Sequence, residues 1–460
     1  MNSGKAQENF DTVVNSETKD LMGISFECVC GETHKVPIRY LSMKKGAIDS
    51  VSSKIKELEI LGRGMLVCDR KIAGTVVKEA LPSLEGQGLD LCLHSVGNGS
   101  EVIPAEIPIA EKLARDVSGK ADYLLALGSG VISDLVKYAA NKLGIPYVLL
   151  ATAPSMNGYT SSMAALTDEG IKKTLMMNPA RAIFADIDIL KKAPVDMVRS
   201  GLGDILSKSI CNADWKLSQL VKKTYFCPLP FRITDKSEPR YLESAEEIGK
   251  RSEEGIRILT DGIMRSGLSM TIIGNSTPSS GAEHFISHYW DLMALKEGKP
   301  KQFHGTQVGV ATLIVLDLYR WARDFRVIQV SIDSLRKNYP ARDDMKNYIS
   351  FKFGRYAKGI KEQYLPKHLP WEKKRKELES IIESWGDLWG SIEPYIRPRE
   401  SVERALRQAG CAVSYKDLGK SRGEAFDALV HARFIRGRYT ILDLLLDLGV
   451  LEQASQAILD

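Results

Sequence analysis

One carboxylate and three imidazoles stand out between residues 204 and 304, all but one of them close to glycine. Asp204 follows Gly201-Leu202-Gly203 inside a helical pattern. An interior glycine costs a helix about 0.5–1 kcal/mol against alanine, so two together signal that something approaches this helix closely. His284 falls in the first turn of a helix that opens Ser279-Ser280-Gly281-Ala282-Glu283, and His288 lies four residues on, on the same face. His304, followed by Gly305, begins a third apolar helix. One carboxylate and two imidazoles, Asp204, His284 and His304, make a divalent-metal site with an open position. Taken singly they are ordinary: an aspartate near a helix start caps it, and a lone histidine packs or is solvated. HxxxH here also lacks the glutamate placement of zinc proteases.

A second chemical feature lies upstream. Tyr123 to Leu127 is an apolar run long enough for one buried strand, followed by Gly128-Ser129-Gly130. Val131, Leu135, Val136, Ala139 and Ala140 then recur at helical spacing, and a second apolar run, Pro146 to Ala151, ends in Thr152-Ala153-Pro154-Ser155. Strand, glycine turn, helix and strand form a βαβ unit. The glycines admit an anion to the backbone, and the helix start offers free N–H groups, so the turn is a phosphate cradle for a dinucleotide or a phosphorylated sugar. GSGVIS lacks the third glycine of the usual dinucleotide fingerprint, and a plain tight turn would show the same glycine pair. The polar loop TAPSMNGYTSS at the carboxyl end of the next strand favours the binding reading, since ligands of open α/β sheets bind there.

The elements that must position these residues follow from the rest of the chain. With 460 residues it is too long for one core, so two domains are expected. Residues 1–24 read as a polar leader, 25–194 as an α/β dinucleotide-binding domain with a mostly parallel sheet, and 195–460 as an all-helical domain with a charged segment over about 330–400. Met65 to Cys68 is a buried strand ending at Asp69, which either accepts from a ribose hydroxyl or caps the helix that follows. Leu91 to His94 is another strand. Cys28, Cys30 and His34 are three zinc-type ligands, but a structural site needs four and no partner is evident, so a β-hairpin turning at Gly31 is expected. The basic run Lys373 to Lys376 reads as a solvated helix face. Hydrophobic residues at 44% and a net charge of +5, with acids and bases interleaved, argue against a nucleic-acid binder. No apolar run approaches the roughly 18 residues of a membrane span. Seven scattered cysteines and no signal-like N-terminus suit a cytoplasmic protein with reduced thiols.

GSGVISDLVKYAA, TAPSMNGYTSS, GLGD, SSGAEHFISHYWD and FHGTQVGV, in that order, resemble the dehydroquinate synthase-like and iron-containing alcohol dehydrogenase superfamily. Within it they are most similar to bacterial-type sn-glycerol-1-phosphate dehydrogenases. The likeness covers about residues 25–325 and resumes at AFDALVHARFIRGRYTILDLL. It implies a Rossmann-like α/β domain plus an all-α domain, the dehydroquinate synthase-like fold, with the site in the cleft between them. It implies NAD or NADP on Gly128, Ser129, Gly130, Val131, Ile132, Ser133 and Asp134, on Thr152, Ala153, Pro154 and Ser155, and on Ser161, with Asp69 on the adenosine side. It implies zinc or nickel on Asp204, His284 and His304, and His288 against substrate. One departure stands out. Where the family carries aspartate in an SxDG loop, this chain has Asn157, which makes the site about one charge more positive and adds an N–H donor.

The expected activity is metal-dependent NAD(P)H reduction of a small phosphorylated ketone, with dihydroxyacetone phosphate the best guess and a homo-oligomer the expected assembly. Metal-ordered water or His288 would pass a proton, and Lys173 would either hold a phosphate or be solvated. Three rivals share the sequence features. One is a dehydroquinate synthase-like cyclase using NAD transiently. Another is a polyol or alcohol dehydrogenase whose substrate differs because of Asn157. The third is a catalytically silent scaffold.

Overall fold

The structure, a computed structural model, describes residues 3–86, 88–99 and 101–459. The described residues form ten strands: β1 Ser25–Glu27, β2 Thr33–Lys35, β3 Tyr40–Lys44, β4 Gly64–Asp69, β5 Leu91–Val96, β6 Tyr123–Gly128, β7 Tyr147–Ala151, β8 Met163–Asp168, β9 Ile171–Met176 and β10 Ala182–Asp186. Six of them form one sheet in the order β3-β10-β7-β6-β4-β5, every neighbouring pair parallel. The central strands β6, β7 and β10 are buried along their whole length. Such strands read as unbroken apolar runs because helices cover both faces of the sheet. From β4 the chain steps outward to β5, then returns to lay β6 on the other side of β4. That reversal makes a crevice at the carboxyl ends of β4 and β6, the place where open parallel sheets take ligands. Asp69 ends β4 and Gly128 ends β6, so the acid and the glycine turn face the same crevice.

Beyond β10 the described residues hold helices and no strand. None of these helices is long and apolar enough to cross a membrane. Three of them frame the site: Val195–Ile205, Ala282–Glu297 and His304–Asp324. A fourth, Glu253–Ile273, lies behind the polar loop that follows β7.

Several expectations need correction. The polar leader is, from Ser3 to Asn15, an amphipathic helix whose Ala6, Phe10, Val13 and Val14 are buried. Spacings of four, three and one put these four on one face, which packs on the helix Leu229–Asp235. Met1 and Asn2 lie outside the described residues. The stretch after the TAPSMNGYTSS loop is an antiparallel hairpin, β8–β9, separate from the main sheet. Its turn places Glu169 and Gly170 at φ 47° and 81°, the positive pair that a two-residue hairpin turn needs. The basic run is not wholly solvated either. Lys374 is buried and ion-paired to Asp447 at 2.8 Å and Glu377 at 2.7 Å, while its neighbours stay exposed.

Candidate active site

The glycines around Asp204 are there because two helices and a loop meet backbone to backbone. A Cβ on Gly203 would stand 2.2 Å from the Gly305 carbonyl oxygen, and one on Gly305 would stand 1.8 Å from that of Ser200. A Cβ on Gly201 would stand 1.9 Å from the Pro154 carbonyl oxygen. The Asp204 helix therefore crosses the His304 helix at van der Waals contact and backs onto the loop after β7. The Gly305 N–H donates to Ser200 Oγ at 3.0 Å, which fixes the start of the His304 helix.

This crossing brings Asp204, His284 and His304 together with donor atoms within 4.8 Å of one another. His284 Nε2 lies 3.6 Å from Asp204 Oδ1. The ring centroids of His284 and His304 are 5.1 Å apart, and His288 stacks on His304 at 5.5 Å. Behind His284 sits Glu283, fully buried, with Oε1 2.6 Å from His284 Nδ1 and accepting from the Gly281 N–H at 2.9 Å. Burial opposes charge on Glu283, but the His284 imidazole and the Gly281 N–H hold its carboxyl below its usual range. An ionised carboxylate on Nδ1 fixes the ring and leaves Nε2 as a donor, the support that metal-binding histidines receive. Burial likewise opposes charge on Asp204, and Lys208 Nζ at 2.7 Å together with His284 overcomes it, so the carboxyl stays far below its usual range. One carboxylate and two imidazoles so supported fit a divalent cation, and His288 Nδ1 is a buried atom with no partner beside them.

Asn157 is bound to the same group. Its N–H donates to Asp204 Oδ2 at 3.0 Å, and its side-chain nitrogen lies 3.5 Å from Asp204 Oδ1 and 3.1 Å from Ser266 Oγ. Its amide thus faces the carboxylate of Asp204, leaving the carbonyl oxygen as the atom outside these bonds. The loop that carries it is clamped from two sides. Lys137, wholly buried, donates to the Gly158 and Met163 carbonyls at 2.9 and 2.7 Å. Gly267 lets the helix Glu253–Ile273 approach so closely that a Cβ there would stand 2.4 Å from the backbone carbonyl oxygen of Asn157.

The glycine turn meets this centre. Gly130 opens the helix Gly130–Leu143, with Ser129 as its cap residue and no side-chain cap bond. The first-turn N–H groups have no partner within the helix and point into the crevice end. Gly130, Val131, Asp134, Asn157 and Ser161 line one cavity with His284, His288 and His304. Gly128, Ser129, Thr152, Pro154 and Ser155 lie at the strand ends behind it and do not line it. Ile132 and Ser133 are buried, and Ala153 packs in the core, so these three could meet a cofactor only through backbone. Asp69 accepts from the Lys71 N–H at 2.8 Å, the capping role, at the crevice where a ribose would also lie.

Lys173 is a correction. It is half exposed and ion-paired to Asp168 at 2.5 Å. Side chains alternate along β9, so Lys173 faces out and its neighbour Lys172 faces in, lining the cavity opposite the histidines. The hairpin turn at Asp168-Glu169-Gly170 is the signal that would have set this register. Arg436 was also missed. It lines the same cavity, has no ion-pair or hydrogen-bond partner among the described residues, and its pKa is lowered to about 10 by burial and by Arg438. Burial, Arg436 and Lys172 together hold His288 well below its usual value, so its imidazole is neutral near pH 7.

Comparison with known proteins places the chain in a family. Residues 42–194 match the family model described as iron-containing alcohol dehydrogenase. The glycerol-1-phosphate dehydrogenase [NAD(P)+] of Halalkalibacterium halodurans is 34% identical over 313 residues, 67% of this chain and 77% of the relative. The enzyme of that name from Pyrococcus horikoshii is 31% identical, covering 61% of this chain and 78% of the relative. Among solved structures, glycerol dehydrogenase of Schizosaccharomyces pombe superposes with a TM-score of 0.58 at 15% identity, over 91% of this chain and 90% of that one. Fold and site define an NAD(P)-dependent dehydrogenase of the iron-containing alcohol dehydrogenase superfamily. Within it, the chain belongs to the glycerol-1-phosphate dehydrogenase family.

Proposed function

We propose that the chain reduces dihydroxyacetone phosphate to sn-glycerol 1-phosphate with NAD(P)H, using one divalent metal, zinc or nickel. The observation that carries this reading is the pair of cations, Lys172 and Arg436, in the cavity that also holds the three histidines. A phosphomonoester suits them, since charge-assisted bonds to phosphate are strong and Arg436 has no other partner among the described residues. The relatives' name, glycerol-1-phosphate dehydrogenase [NAD(P)+], agrees with that chemistry. A cavity of about 220 Å³ also suits a small substrate, being below the roughly 300–1,000 Å³ of sites for drug-sized ligands.

Asp204, His284 and His304 are the proposed metal residues. A cation held there supplies Lewis acidity to the substrate carbonyl, and NAD(P)H supplies hydride. Lys172 and Arg436 grip the phosphate and so fix which face of the ketone meets the cradle. His288, neutral, is the group placed to relay a proton: one ring nitrogen gives its proton to the forming alkoxide as the other takes one from water. The loop carrying Asn157 holds Asp204 in place from the nucleotide side, and the Asn157 side-chain oxygen is left to accept from a substrate hydroxyl. The same reading includes a domain boundary near residue 195 and a homo-oligomer.

The test is a pair of lysine variants. Lys172→Ala should raise KM for dihydroxyacetone phosphate by roughly tenfold to a hundredfold, the worth of about 1.5–3 kcal/mol for a bond to a charged group. Turnover of unphosphorylated dihydroxyacetone should hardly change, and Lys173→Ala should leave both substrates alone. Equal losses on both substrates in Lys172→Ala would remove the phosphate reading.

A further inference from the structure

Far from the catalytic residues in sequence, four donor atoms converge that the dehydrogenase chemistry does not use. Cys28 and Cys30 lie in the hairpin β1–β2, and His34 lies on β2. Cys227 comes from the loop between the helices Lys208–Lys222 and Leu229–Asp235, 193 residues beyond His34. All four donor atoms lie within 4.8 Å of one another. We propose that Cys28, Cys30, His34 and Cys227 form a structural zinc site that fastens the N-terminal hairpin to the helical half of the protein.

The geometry fits that ion. Zinc bonds of about 2.3 Å to sulfur and about 2.0–2.1 Å to nitrogen, set tetrahedrally, give edges of about 3.8 Å between sulfurs and about 3.5–3.6 Å between sulfur and nitrogen. Cys28 Sγ and Cys227 Sγ are 3.8 Å apart. His34 Nε2 lies 3.7 Å from Cys227 Sγ and 3.3 Å from Cys30 Sγ. Three thiols and one imidazole are a structural zinc donor set, and four protein ligands leave no open position, unlike the cleft. The local backbone is built for it. The Gly31 N–H donates to the Cys28 carbonyl at 3.0 Å, and Gly31 takes φ 92°, so the turn aims Cys28 and Cys30 to one side. Tyr225, two residues before Cys227, places its hydroxyl 3.1 Å from Cys30 Sγ, where it can donate to a thiolate. Cys28, His34 and Cys227 are buried, which excludes water from competing for the ion.

A disulfide between Cys28 and Cys227 is the competing use of these atoms. It would occupy two donors and leave Cys30 and His34 converging on nothing. None of the four residues lines the catalytic cavity, so the zinc would act on stability. It closes a long loop, and metal binding of this kind is coupled to folding.

Elemental analysis decides the matter without reference to catalysis. His284→Ala removes a proposed cleft ligand, and that variant, purified from zinc-supplemented medium, should still hold one equivalent of zinc. Adding Cys227→Ser should remove that equivalent and lower Tm by several degrees, while Cys227→Ser alone should keep reductase activity at low temperature. If the serine variants fail to fold, thiol titration of the wild-type protein with a mercurial should release one zinc in step with three thiols. His284→Ala protein without zinc would overturn the proposal, as would a Cys28–Cys227 disulfide found by non-reducing peptide mapping.

Discussion

Asp204 and its neighbours show how a charge is kept in a buried place. Its carboxylate is 1% exposed and is held by Lys208, the Asn157 N–H and the His284 imidazole. Removing one partner of a buried, paired charge is costly because the other is left bare. His284→Ala and His304→Ala should each abolish metal binding in the cleft and activity. Lys208 still compensates Asp204 in both variants, so they should stay folded, as elemental analysis and circular dichroism together would record. Asn157→Asp would turn a donor toward a carboxylate into a second acceptor, so kcat/KM for dihydroxyacetone phosphate should fall tenfold or more. A gain instead would mean that the amide does not serve Asp204. At this scale the sequence was partly legible. Asp204, His284 and His304 announced themselves through glycine and helix position. Lys172 was hidden because no strand was expected there to tell it from Lys173, and Arg436, though in a stretch similar to the family's, gave no sign that it returns to the cleft. Cys227 could not be found from spacing at all, because the fold alone brings it to the hairpin.

The helices and loops explain the rest of the site's construction. The crossing of the Asp204 and His304 helices needs bare backbone at Gly203 and Gly305. Gly305→Ala would drive a methyl group to 1.8 Å from the Ser200 carbonyl, so the helices must part. Overpacking of this kind typically costs about 1–3 kcal/mol, and here both the metal-site geometry and Tm should suffer, which calorimetry and metal analysis would read. Gly130 is different, because Met156 occupies the space that a side chain would take, at 2.9 Å. Gly130→Val should leave the fold intact yet weaken NADH binding severely, since the branched side chain would push Met156 toward the cavity and cover the free N–H groups. Unchanged affinity by calorimetry would contradict the cradle. The strands of the main sheet were readable as apolar runs and the site helices as periodic ones. The hairpin β8–β9 was not, because its residues are half-buried and alternate weakly.

The whole molecule joins its two halves through segments remote in sequence. The N-terminal helix, polar on average but apolar along one face, packs on the helical half rather than trailing as a leader. Phe10→Ala should lower Tm, since removing a buried phenylalanine costs about 3–5 kcal/mol, and an unchanged Tm would mean the helix is not docked. Composition hid this element, because few apolar residues suffice when they share a face. The central claim concerns the reaction itself, and the stoichiometry of NADH against product tests it most directly. With dihydroxyacetone phosphate, one NADH should be oxidised for each sn-glycerol 1-phosphate formed. That turnover should cease on removal of the metal and return with zinc or nickel. Substrate consumed with no net loss of NADH, or no turnover of dihydroxyacetone phosphate by the metal-loaded protein, would contradict the account.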